Sequence, residues 1–440
     1  MLKKLLIGLL CVVAAVLAVI TWRFLFPKPA VLNDGGDYGP TPELVAPQAS
    51  LVPTVRPARA VGWSAGEMPS PASGLAINAF VGGLDHPRWL YVLPNGDVLV
   101  AESNAPAGSG LCSELKNIAA HVVMKYGGAR TVSADRITLH RDTDGDGAAD
   151  ESHVFADDLH SPFGMALIGD DLYVANADAV LRFAYTPGMT SVSTEPDVIA
   201  PLPSGRNHHW TKNILPSADQ RSLFVTVGSN SNVGECGPDV EEGRAAIHRL
   251  DLESGELDLF AHGLRNPVGL ALEPSTGTLW TAVNERDELG SDLVPDYITS
   301  VRKGDFFGWP YTYYGAHLQP KLDPRWPADH PVARSPDYAV GSHTASLDIE
   351  FSYESALPDQ WQGGMFVSQH GSWNRQPRAG YRVIYIPFAD GAPNGMPEEL
   401  VGGFLDADGN ARGRPAGLAI DGTGALLIAD DVGNVIWRVR

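Results

Sequence analysis

The sequence predicts an all-β fold of the kind found in β-propellers, and three observations lead to this prediction. Short β-rich runs recur through most of the chain, from Trp89–Val92 to Ala425–Ala429. Turn signals such as Pro94-Asn95-Gly96 separate the runs. Amphipathic helical periodicity is almost absent between them. Many short strands at fairly regular spacing are typical of a sandwich, a barrel or a propeller.

A weak internal repeat favours the propeller among these folds. The pattern Gly-x-Ala, a few apolar residues, a turn and Leu-x-x-Ala occurs at Gly164–Ala175, Gly269–Ala282 and Gly417–Ala429. Blades of a propeller repeat such a unit around a central channel. The final strand, Asn434–Val439, is then expected to close the ring with an early segment such as Gly74–Phe80.

The first 23 residues are predicted to be a signal anchor or a signal peptide. Lys3 and Lys4 precede an apolar run from Leu5 to Trp22, and Arg23 follows it. The run has about the length that a membrane-spanning helix needs. No small-residue cleavage site follows it, so we favour an uncleaved membrane helix. Export is expected in either case.

The remaining residues divide into a tether and a folded domain. Residues 24–73 are rich in proline and alanine and lack periodicity, which predicts a flexible tether. Residues 74–440 are predicted to form the propeller. A chain of 440 residues is compatible with one large all-β domain of this kind.

The charge of the chain excludes one class of partner. The formal net charge is −20, and lysine and arginine form no cluster. Nucleic-acid binding depends on such clusters, because they neutralise phosphates. No nucleic-acid partner is therefore expected.

One hairpin concentrates polar groups that suit an active site. His208 and His209 precede a short strand, and the chain then turns and returns along Leu223–Val227. The loop that follows contains Asn230 and Asn232. Because the two ends of a hairpin lie at one edge, a potential base and several hydrogen-bonding groups are expected to face the same space.

Four segments in order carry a resemblance to a known family. They are Arg206–Asn232, Gly263–Ala271, Lys303–Pro310 and Ala411–Gly417, with Asn284–Asp287 between the second and the third. Together they resemble the soluble quinoprotein sugar dehydrogenases, which include glucose dehydrogenases, and most closely the L-sorbosone dehydrogenase branch. The resemblance covers the chain from about residue 82 to its last residue.

The resemblance implies a six-bladed propeller that holds pyrroloquinoline quinone (PQQ), usually with calcium. It also implies oxidation of a sugar or an aldehyde by hydride transfer to the quinone, with a histidine as general base. His209 matches that histidine, and His208 stands where the family has an aspartate that orients the base. An imidazole suits this step because it can take up a proton near neutral pH.

The resemblance also indicates cofactor-binding residues. Arg412 and Arg414 match the family's quinone-binding arginine pair, and their spacing in a strand-like segment predicts both guanidinium groups on one face. Each group can bind a carboxylate in bidentate fashion. Asn230 and Asn232 fall where the family has an Arg-Asn contact to the quinone, and its lysine is absent, with Tyr353 nearest in register.

Two segments are candidate calcium sites. The loop Gly234–Gly243 follows the hairpin where the family holds its calcium, and Glu242 is its candidate ligand. The second segment resembles the first half of an EF-hand loop, with alternating aspartates and a glycine at the sixth position, but with histidine at the twelfth. Its candidate ligands are Asp142, Asp144 and Asp146. The sequence leaves open whether this segment is a calcium-binding turn or a simple acidic turn.

The sequence therefore predicts a PQQ- and Ca²⁺-dependent dehydrogenase of a sugar or a sugar-derived aldehyde, anchored at the periplasmic face of the inner membrane. Electrons are expected to leave to an external cytochrome or quinone, because the chain has no Cys-x-x-Cys-His motif for haem. Two rival interpretations are a metal-dependent propeller lactonase and a non-enzymatic binding propeller. Whether Cys112 and Cys236 pair is also left open.

Overall fold

A computed structural model describes residues 28–32, 35–48, 54–110, 112–129 and 131–440. These residues form six antiparallel sheets arranged as the blades of a β-propeller, together with one small two-stranded sheet. The predicted all-β, six-bladed propeller is therefore confirmed.

The strands follow one another around the ring. The chain first forms three strands that join sheets completed later: β1 (Tyr38–Gly39), β2 (Ser70–Pro71) and β3 (Ile77–Gly82). Blade 1 contains β4 (Pro87–Val92), β5 (Val98–Glu102), β6 (Arg136–Arg141) and β7 (Glu151–Ala156). Blade 2 contains β8 (Met165–Ile168), β9 (Asp171–Ala175), β10 (Ala179–Ala184) and β11 (Asp197–Pro201). Blade 3 contains β12 (Ile214–Pro216), β13 (Ser222–Val227), β14 (Ala246–Asp251) and β15 (Leu257–His262).

The second half of the ring has longer insertions. Blade 4 contains β16 (Pro267–Leu272), β17 (Leu279–Val283) and β18 (Pro295–Val301), then the hairpin β19 (Thr312–Tyr313) and β20 (His317–Leu318), and finally β21 (Tyr338–Ser342). Blade 5 contains β22 (Ser346–Phe351), β23 (Gly364–Gln369), β24 (Arg382–Ala389), the short β25 (Ala392–Pro393) and β26 (Glu398–Gly402). Blade 6 contains β27 (Pro415–Ile420), β28 (Leu426–Asp430) and β29 (Val435–Val439), with β3 as its outer strand.

Helical structure is confined to short segments of the described chain. An α-helix, which the sequence analysis missed, spans Glu114–Tyr126 between β5 and β6. Short 3₁₀ helices span Pro238–Glu241, Ser352–Glu354 and Asp359–Trp361. No helix among the described residues is both long enough and apolar enough to cross a membrane.

The ring closes as the sequence predicts. The C-terminal strand β29 pairs with β3, so that Val439 lies opposite Ile77 and Val435 lies opposite Gly82. The innermost strands of successive blades also contact one another around the whole ring. The first and last strands of the propeller are thus joined in one sheet.

The glycine of the internal repeat has a packing role. A Cβ atom on Gly269 would lie 2.9 Å from the Cα atom of Asp348, and one on Gly417 would lie 2.8 Å from the carbonyl oxygen of Arg88. Gly164 meets the inner strand of blade 3 in the same way. The repeat therefore marks places where the inner strands of two blades approach too closely for any side chain.

All of the predicted site residues of the hairpin lie at one end of the propeller. Because neighbouring strands alternate in direction, the loops into each first strand and the loops from each second to each third strand emerge at the same end. We call this end the upper face and the other end the lower face. The upper-face loops are 83–86, 103–135, 157–164, 176–178, 202–213, 228–245, 263–266, 284–294, 343–345, 370–381, 403–414 and 431–434.

The predicted flexible tether differs from the structure. Its described residues, which we call the strap, lie on the propeller: β1 pairs with β21, and β2 pairs with β26. Asp37 of the strap accepts a hydrogen bond from Ser342 N at 2.7 Å and pairs with Arg375. These buried polar contacts fix a segment whose composition alone indicates flexibility. The predicted anchor, residues 1–23, lies outside the described residues.

Candidate active site

The predicted hairpin is present and fixes the ring of His209. Strands β12 and β13 pair antiparallel, and the loops at their upper ends bring His209 to Ser229. Nδ1 of His209 lies 2.8 Å from the carbonyl oxygen of Ser229. A carbonyl oxygen only accepts, so Nδ1 carries the proton and Nε2 is the basic nitrogen. Among the residues that the structure describes, none forms a hydrogen bond with Nε2.

Burial keeps both histidines of the hairpin neutral. It lowers the pKa of His209 well below the ordinary value of 6.5, and the neighbouring ring of His208, 4.5 Å away between centroids, lowers it further. Burial, and secondly the charge of Arg265, lowers the pKa of His208 to about 4. Two carboxylates, Glu235 and Asp287, oppose that shift. They supply negative charge near the position where the family has its aspartate.

Two buried basic side chains hold the loop that carries the base. Arg244 donates to the carbonyl oxygen of His209 at 3.0 Å and to Oδ1 of Asn207 at 3.3 Å. Nζ of Lys212, which is fully buried, donates to the carbonyl oxygen of Trp210 at 3.2 Å and also reaches Asn207. Burial lowers the pKa of Arg244 to about 10 and that of Lys212 well below its usual value. The sequence analysis found neither residue, because no motif marks them.

Asn232 lies at the centre of a braced turn. Its carbonyl oxygen accepts hydrogen bonds from Nε of Arg265 and Nε1 of Trp309, each at 3.1 Å. Its side-chain Oδ1 accepts from Arg265 Nη2 at 3.1 Å and from Asp287 N at 2.9 Å. Asn232 therefore connects loops of blades 3 and 4, and its role in binding a cofactor stays a prediction.

Asn230 makes comparable contacts within blade 3. Its Nδ2 donates to the carbonyl oxygen of Val240 at 2.8 Å, and its Oδ1 accepts from His208 N at 3.3 Å. The side chain thus links the histidine loop to the loop that follows β13. A direct contact of Asn230 with a cofactor stays a prediction as well.

In the loop predicted to hold calcium, the carboxylates that point inward are not that of the predicted ligand, Glu242. Glu242 is exposed, whereas Glu241 is buried and accepts hydrogen bonds from Asn230 N, at 2.7 Å, and from Ser231 Oγ. Burial raises the pKa of Glu241 to about 7. Glu235 accepts from two backbone amides of the same loop. The oxygen-rich part of this loop is therefore formed by Glu235 and Glu241.

The predicted arginine pair does not lie on a strand. Arg412 and Arg414 precede β27, and their guanidinium groups have different partners. Arg412 pairs with Glu67 of the strap at 3.3 Å and is 31% exposed. Arg414 is buried, donates to Tyr381 OH at 3.3 Å and lies 5.0 Å from the centroid of that ring. The predicted common strand face is wrong, because the extended segment begins only at Pro415.

A second polar cluster, not predicted from the sequence, joins blades 1, 5 and 6 at the upper face. Oδ2 of Asp431 accepts hydrogen bonds from Arg88 and, at 2.8 Å, from Nε2 of His370. Nδ1 of His86 donates to the Asp431 carbonyl oxygen at 2.9 Å. Burial alone would raise the pKa of Asp431, but His370, His86 and Arg88 together hold it well below its usual range. We call these four residues the Asp431 cluster.

The Asp431 cluster and the histidine hairpin border one region. The guanidinium carbon of Arg88 lies 6.0 Å from the ring centroid of Trp210, the residue after His209. Nε of Arg88 and Nε of Arg414 are buried without a hydrogen-bond partner in the described structure. Buried polar groups are normally paired, and guanidinium groups suit carboxylates. These residues therefore fit an anionic cofactor such as the tricarboxylate PQQ.

The other candidate calcium segment is brought together at the lower face. The ligand oxygens of Asp142, Asp144 and Asp146 lie within 4.8 Å of one another. The carboxylate of Asp142 accepts hydrogen bonds from Gly145 N at 2.8 Å and Gly147 N at 2.9 Å. The turn is thus stabilised by its own amides and lies at the end of the propeller opposite to the histidines.

The structure also shows how the two cysteines pair and where Tyr353 lies. Cys112 and Cys236 form a disulfide with a Cα–Cα distance of 5.8 Å, which joins the helix-bearing loop of blade 1 to the Glu235 loop of blade 3. Tyr353 follows β22 at the lower face and is 41% exposed. It therefore does not reach the upper-face residues, and it does not replace the family lysine there.

Comparison with known proteins gives the chain a family. A family model described as TrAA12-like matches residues 129–302 and 321–440. The chain belongs to the TrAA12-like family. The matched residues leave out the strap, the strands β3, β4 and β5, and residues 303–320 of the insertion in blade 4.

Curated relatives of this TrAA12-like chain include two named dehydrogenases. An uncharacterised protein from Borreliella burgdorferi is 27% identical over 305 residues, which is 65% of this chain and 77% of that protein. The PQQ-dependent pyranose dehydrogenase of Coprinopsis cinerea is 23% identical over 364 residues, 72% of this chain but 44% of that protein. An aldose sugar dehydrogenase of Escherichia coli is 23% identical over 159 residues, 33% of this chain and 41% of that protein.

Solved structures confirm the fold of the TrAA12-like chain. The holo PQQ domain of pyranose dehydrogenase from C. cinerea has a TM-score of 0.65 at 20% identity and covers 86% of this chain and 98% of that chain. A calcium structure of the AA12 enzyme from Trichoderma reesei has a TM-score of 0.65 at 18% identity, with coverage of 84% and 96%. The relatives with named activities are thus sugar dehydrogenases, and the pyranose dehydrogenase among them is PQQ-dependent by name. The sorbosone branch stays a prediction.

Proposed function

We propose that the protein is a PQQ-dependent dehydrogenase that oxidises the hydroxyl-bearing or hydrated aldehyde carbon of a sugar or a sugar-derived aldehyde. The observation that carries this proposal is His209, an imidazole held in one tautomer with its basic nitrogen unpaired at the upper face. The relatives whose names include PQQ support the cofactor. Aldoses and sorbosone are the substrates to test first.

His209 acts as the general base in this proposal. Its Nε2 takes the proton of the substrate hydroxyl group while a hydride leaves the same carbon. Its Nδ1 proton stays donated to Ser229, so the ring keeps its orientation when Nε2 becomes protonated. Burial disfavours the charged ring, so the proton is passed on before the next turnover. Glu235 and Asp287, whose charges act on the neighbouring His208, are the proposed acceptors of this proton.

Arg88 and Arg414 would hold the carboxylates of the quinone through their unpaired guanidinium nitrogens. When bound, PQQ accepts the hydride and so supplies the two-electron oxidation. Calcium is part of the proposal, with the loop Gly234–Gly243 as its place, because hard oxygen ligands suit this ion. Electrons leave to an external cytochrome or quinone at the periplasmic face of the inner membrane.

The test uses the purified full chain, incubated with PQQ and calcium, and an artificial dye as electron acceptor. We expect dye reduction with aldoses or sorbosone that requires PQQ and falls when calcium is chelated. His209→Asn should lower kcat/KM by roughly 10²–10⁴-fold, the usual contribution of a general base. PQQ affinity should change little, because the Arg88 and Arg414 contacts remain.

His153→Asn is the matched control, because His153 lies on β7, away from the upper face, with a side chain that is 40% exposed. It should leave turnover unchanged. A chain that neither binds PQQ nor reduces the dye would refute the proposal. Lactone hydrolysis that depends on a metal but not on PQQ would instead support the rival hydrolase.

A further inference from the structure

The strap enters the propeller at the rim of the upper face. Its first described residue, Lys28, accepts a hydrogen bond from Ser291 Oγ at 2.9 Å through its carbonyl oxygen. Ala30 N donates to the carbonyl oxygen of Gln376, and Val31 N donates to Asp292 at 2.7 Å. Ser291, Asp292 and Gln376 all belong to upper-face loops. Lys28, the first described residue, therefore lies at the face that carries the active site.

The distance from this point to the predicted membrane anchor is short. The apolar run ends at Trp22, six residues before Lys28. An extended chain spans at most about 3.6 Å per residue, so these two residues lie within about 20 Å of each other. If the run is inserted in a bilayer, the rim of the upper face lies close to the membrane surface.

The same face carries exposed apolar side chains beside basic ones. Val122 is 66% exposed and Tyr126 is 51% exposed on the helix Glu114–Tyr126. Val61 of the strap, 48% exposed, lies next to them, because Ala60 N donates to the Tyr126 carbonyl oxygen. Arg59 and Lys125 are exposed within this patch. Apolar side chains mixed with basic groups suit the interface of an anionic lipid bilayer.

The lower face differs from this patch in its charge. Its turns carry exposed carboxylates in four of the blades, and anionic lipids repel such groups. These residues are Asp144, Asp146, Asp170, Asp219, Glu253, Glu256, Glu354, Asp359 and Asp390. Exposed carboxylates such as Asp157 and Glu242 also lie on the upper face, so the local patch and the short connection to the anchor set the orientation.

We propose that the upper face rests on an anionic membrane surface through the patch formed by Arg59, Val61, Val122, Lys125 and Tyr126. The active site then opens toward the lipid headgroups, where an acceptor dissolved in the membrane reaches it directly. This inference rests on the predicted anchor and on the surface of the fold. It does not rest on the chemistry of the site, so it can fail or succeed independently of the proposed function.

The test measures orientation in proteoliposomes of the full chain, made with phosphatidylcholine and phosphatidylglycerol. A fluorophore is attached at Val122→Cys or at Asp219→Cys, in a background with Cys11→Ser, and a quencher is attached to the lipid headgroups. We expect quenching several-fold stronger at position 122 than at position 219. Equal quenching at both positions, or stronger quenching at 219, would overturn the proposal.

A second comparison tests the patch itself, with the fluorophore at Arg59→Cys. Val122→Asp combined with Tyr126→Asp should remove most of the quenching, because the apolar contact with the bilayer is lost. The matched control is Val198→Asp combined with Leu259→Asp, at positions 65% and 51% exposed on the outermost strands β11 and β15. It should leave quenching unchanged. Equal effects of both pairs, or quenching that appears only when an acidic protein partner is added, would contradict a lipid-docking face.

Discussion

Gly228→Ala probes how tightly the base is held. Gly228 lies between β13 and Ser229, and an added Cβ atom would lie 2.6 Å from Cβ of His209 and would also meet Oδ1 of Asn266. Its backbone φ is not in the left-handed region, so the effect is steric alone. Overpacking of this kind costs about 1–3 kcal/mol. Unfolding entropy scales with length, so a chain of 440 residues should lose about 1 °C in Tm for each kcal/mol.

The substitution should affect turnover more than stability. Moving His209 by a few tenths of an ångström to relieve the contact misaligns its Nε2, and a misplacement of 1 Å can cost about 10²-fold in rate. We therefore expect kcat to fall by about 10-fold or more in the dye assay, with PQQ affinity retained. Differential scanning calorimetry and steady-state kinetics on the same samples separate the two effects.

Gly422→Ala is the control for this experiment. Gly422 lies in a lower-face turn with no other group within 4 Å of the added Cβ atom and no left-handed φ. Alanine at such a position is neutral or stabilises by about 0.4–1 kcal/mol. If Gly228→Ala matched Gly422→Ala in both Tm and kcat, the close packing of His209 against Gly228 would be refuted.

Three further predictions concern the base and the strap. Arg244→Met leaves buried acceptors unpaired, the His209 carbonyl oxygen among them, and should destabilise the protein by at least about 1–3 kcal/mol in thermal unfolding. An unchanged Tm would show that Arg244 does not stabilise this loop. Because burial lowers the pKa of His209, its imidazole loses its proton at a lower pH than usual. We therefore expect kcat/KM to rise with pH through a midpoint below 6.5. A midpoint at or above 6.5 would contradict the burial of His209. Asp37→Asn removes the charge paired with Arg375 and should cost about 3–5 kcal/mol locally. Faster hydrogen exchange at β1 should report this loss, and unchanged exchange would mean that other contacts hold the strap.

Most of the inner strands could be predicted from the sequence, whereas most of the outermost strands could not. Inner strands such as β16 and β27 are buried almost throughout and appear as apolar runs. The outermost strands mix charged and apolar residues: in β11 the side chain of Val198 is 65% exposed, and in β15 that of Leu259 is 51% exposed. Segments that mix exposed aliphatic residues with charged ones lack the regular alternation of apolar and polar residues that predicts a strand. These segments become strands because they pair with the neighbouring strand at the edge of the blade.

In the site, too, contacts between residues close in sequence could be predicted, whereas contacts between distant residues could not. His209 and Asn232 belong to one hairpin, so their proximity follows from chain connectivity. Arg88 and Asp431 are 343 residues apart and meet only because the ring closes. Two adjacent aspartates, Asp430 and Asp431, stand at the end of β28, but the sequence does not indicate their partners. Only the assembled propeller shows what it contacts.

The closure of the ring by β3 and β29 sets an order of events for a chain made from its N-terminus. Residues 77–82 are synthesised hundreds of residues before their partner, and until Val435–Val439 emerge, β3 has no neighbour in its sheet. An unpaired strand edge is a template for aggregation, and contacts this far apart in sequence form slowly. The newly made propeller is therefore vulnerable until Val435–Val439 have been made, and loss of these residues would leave the edge of β3 permanently unpaired.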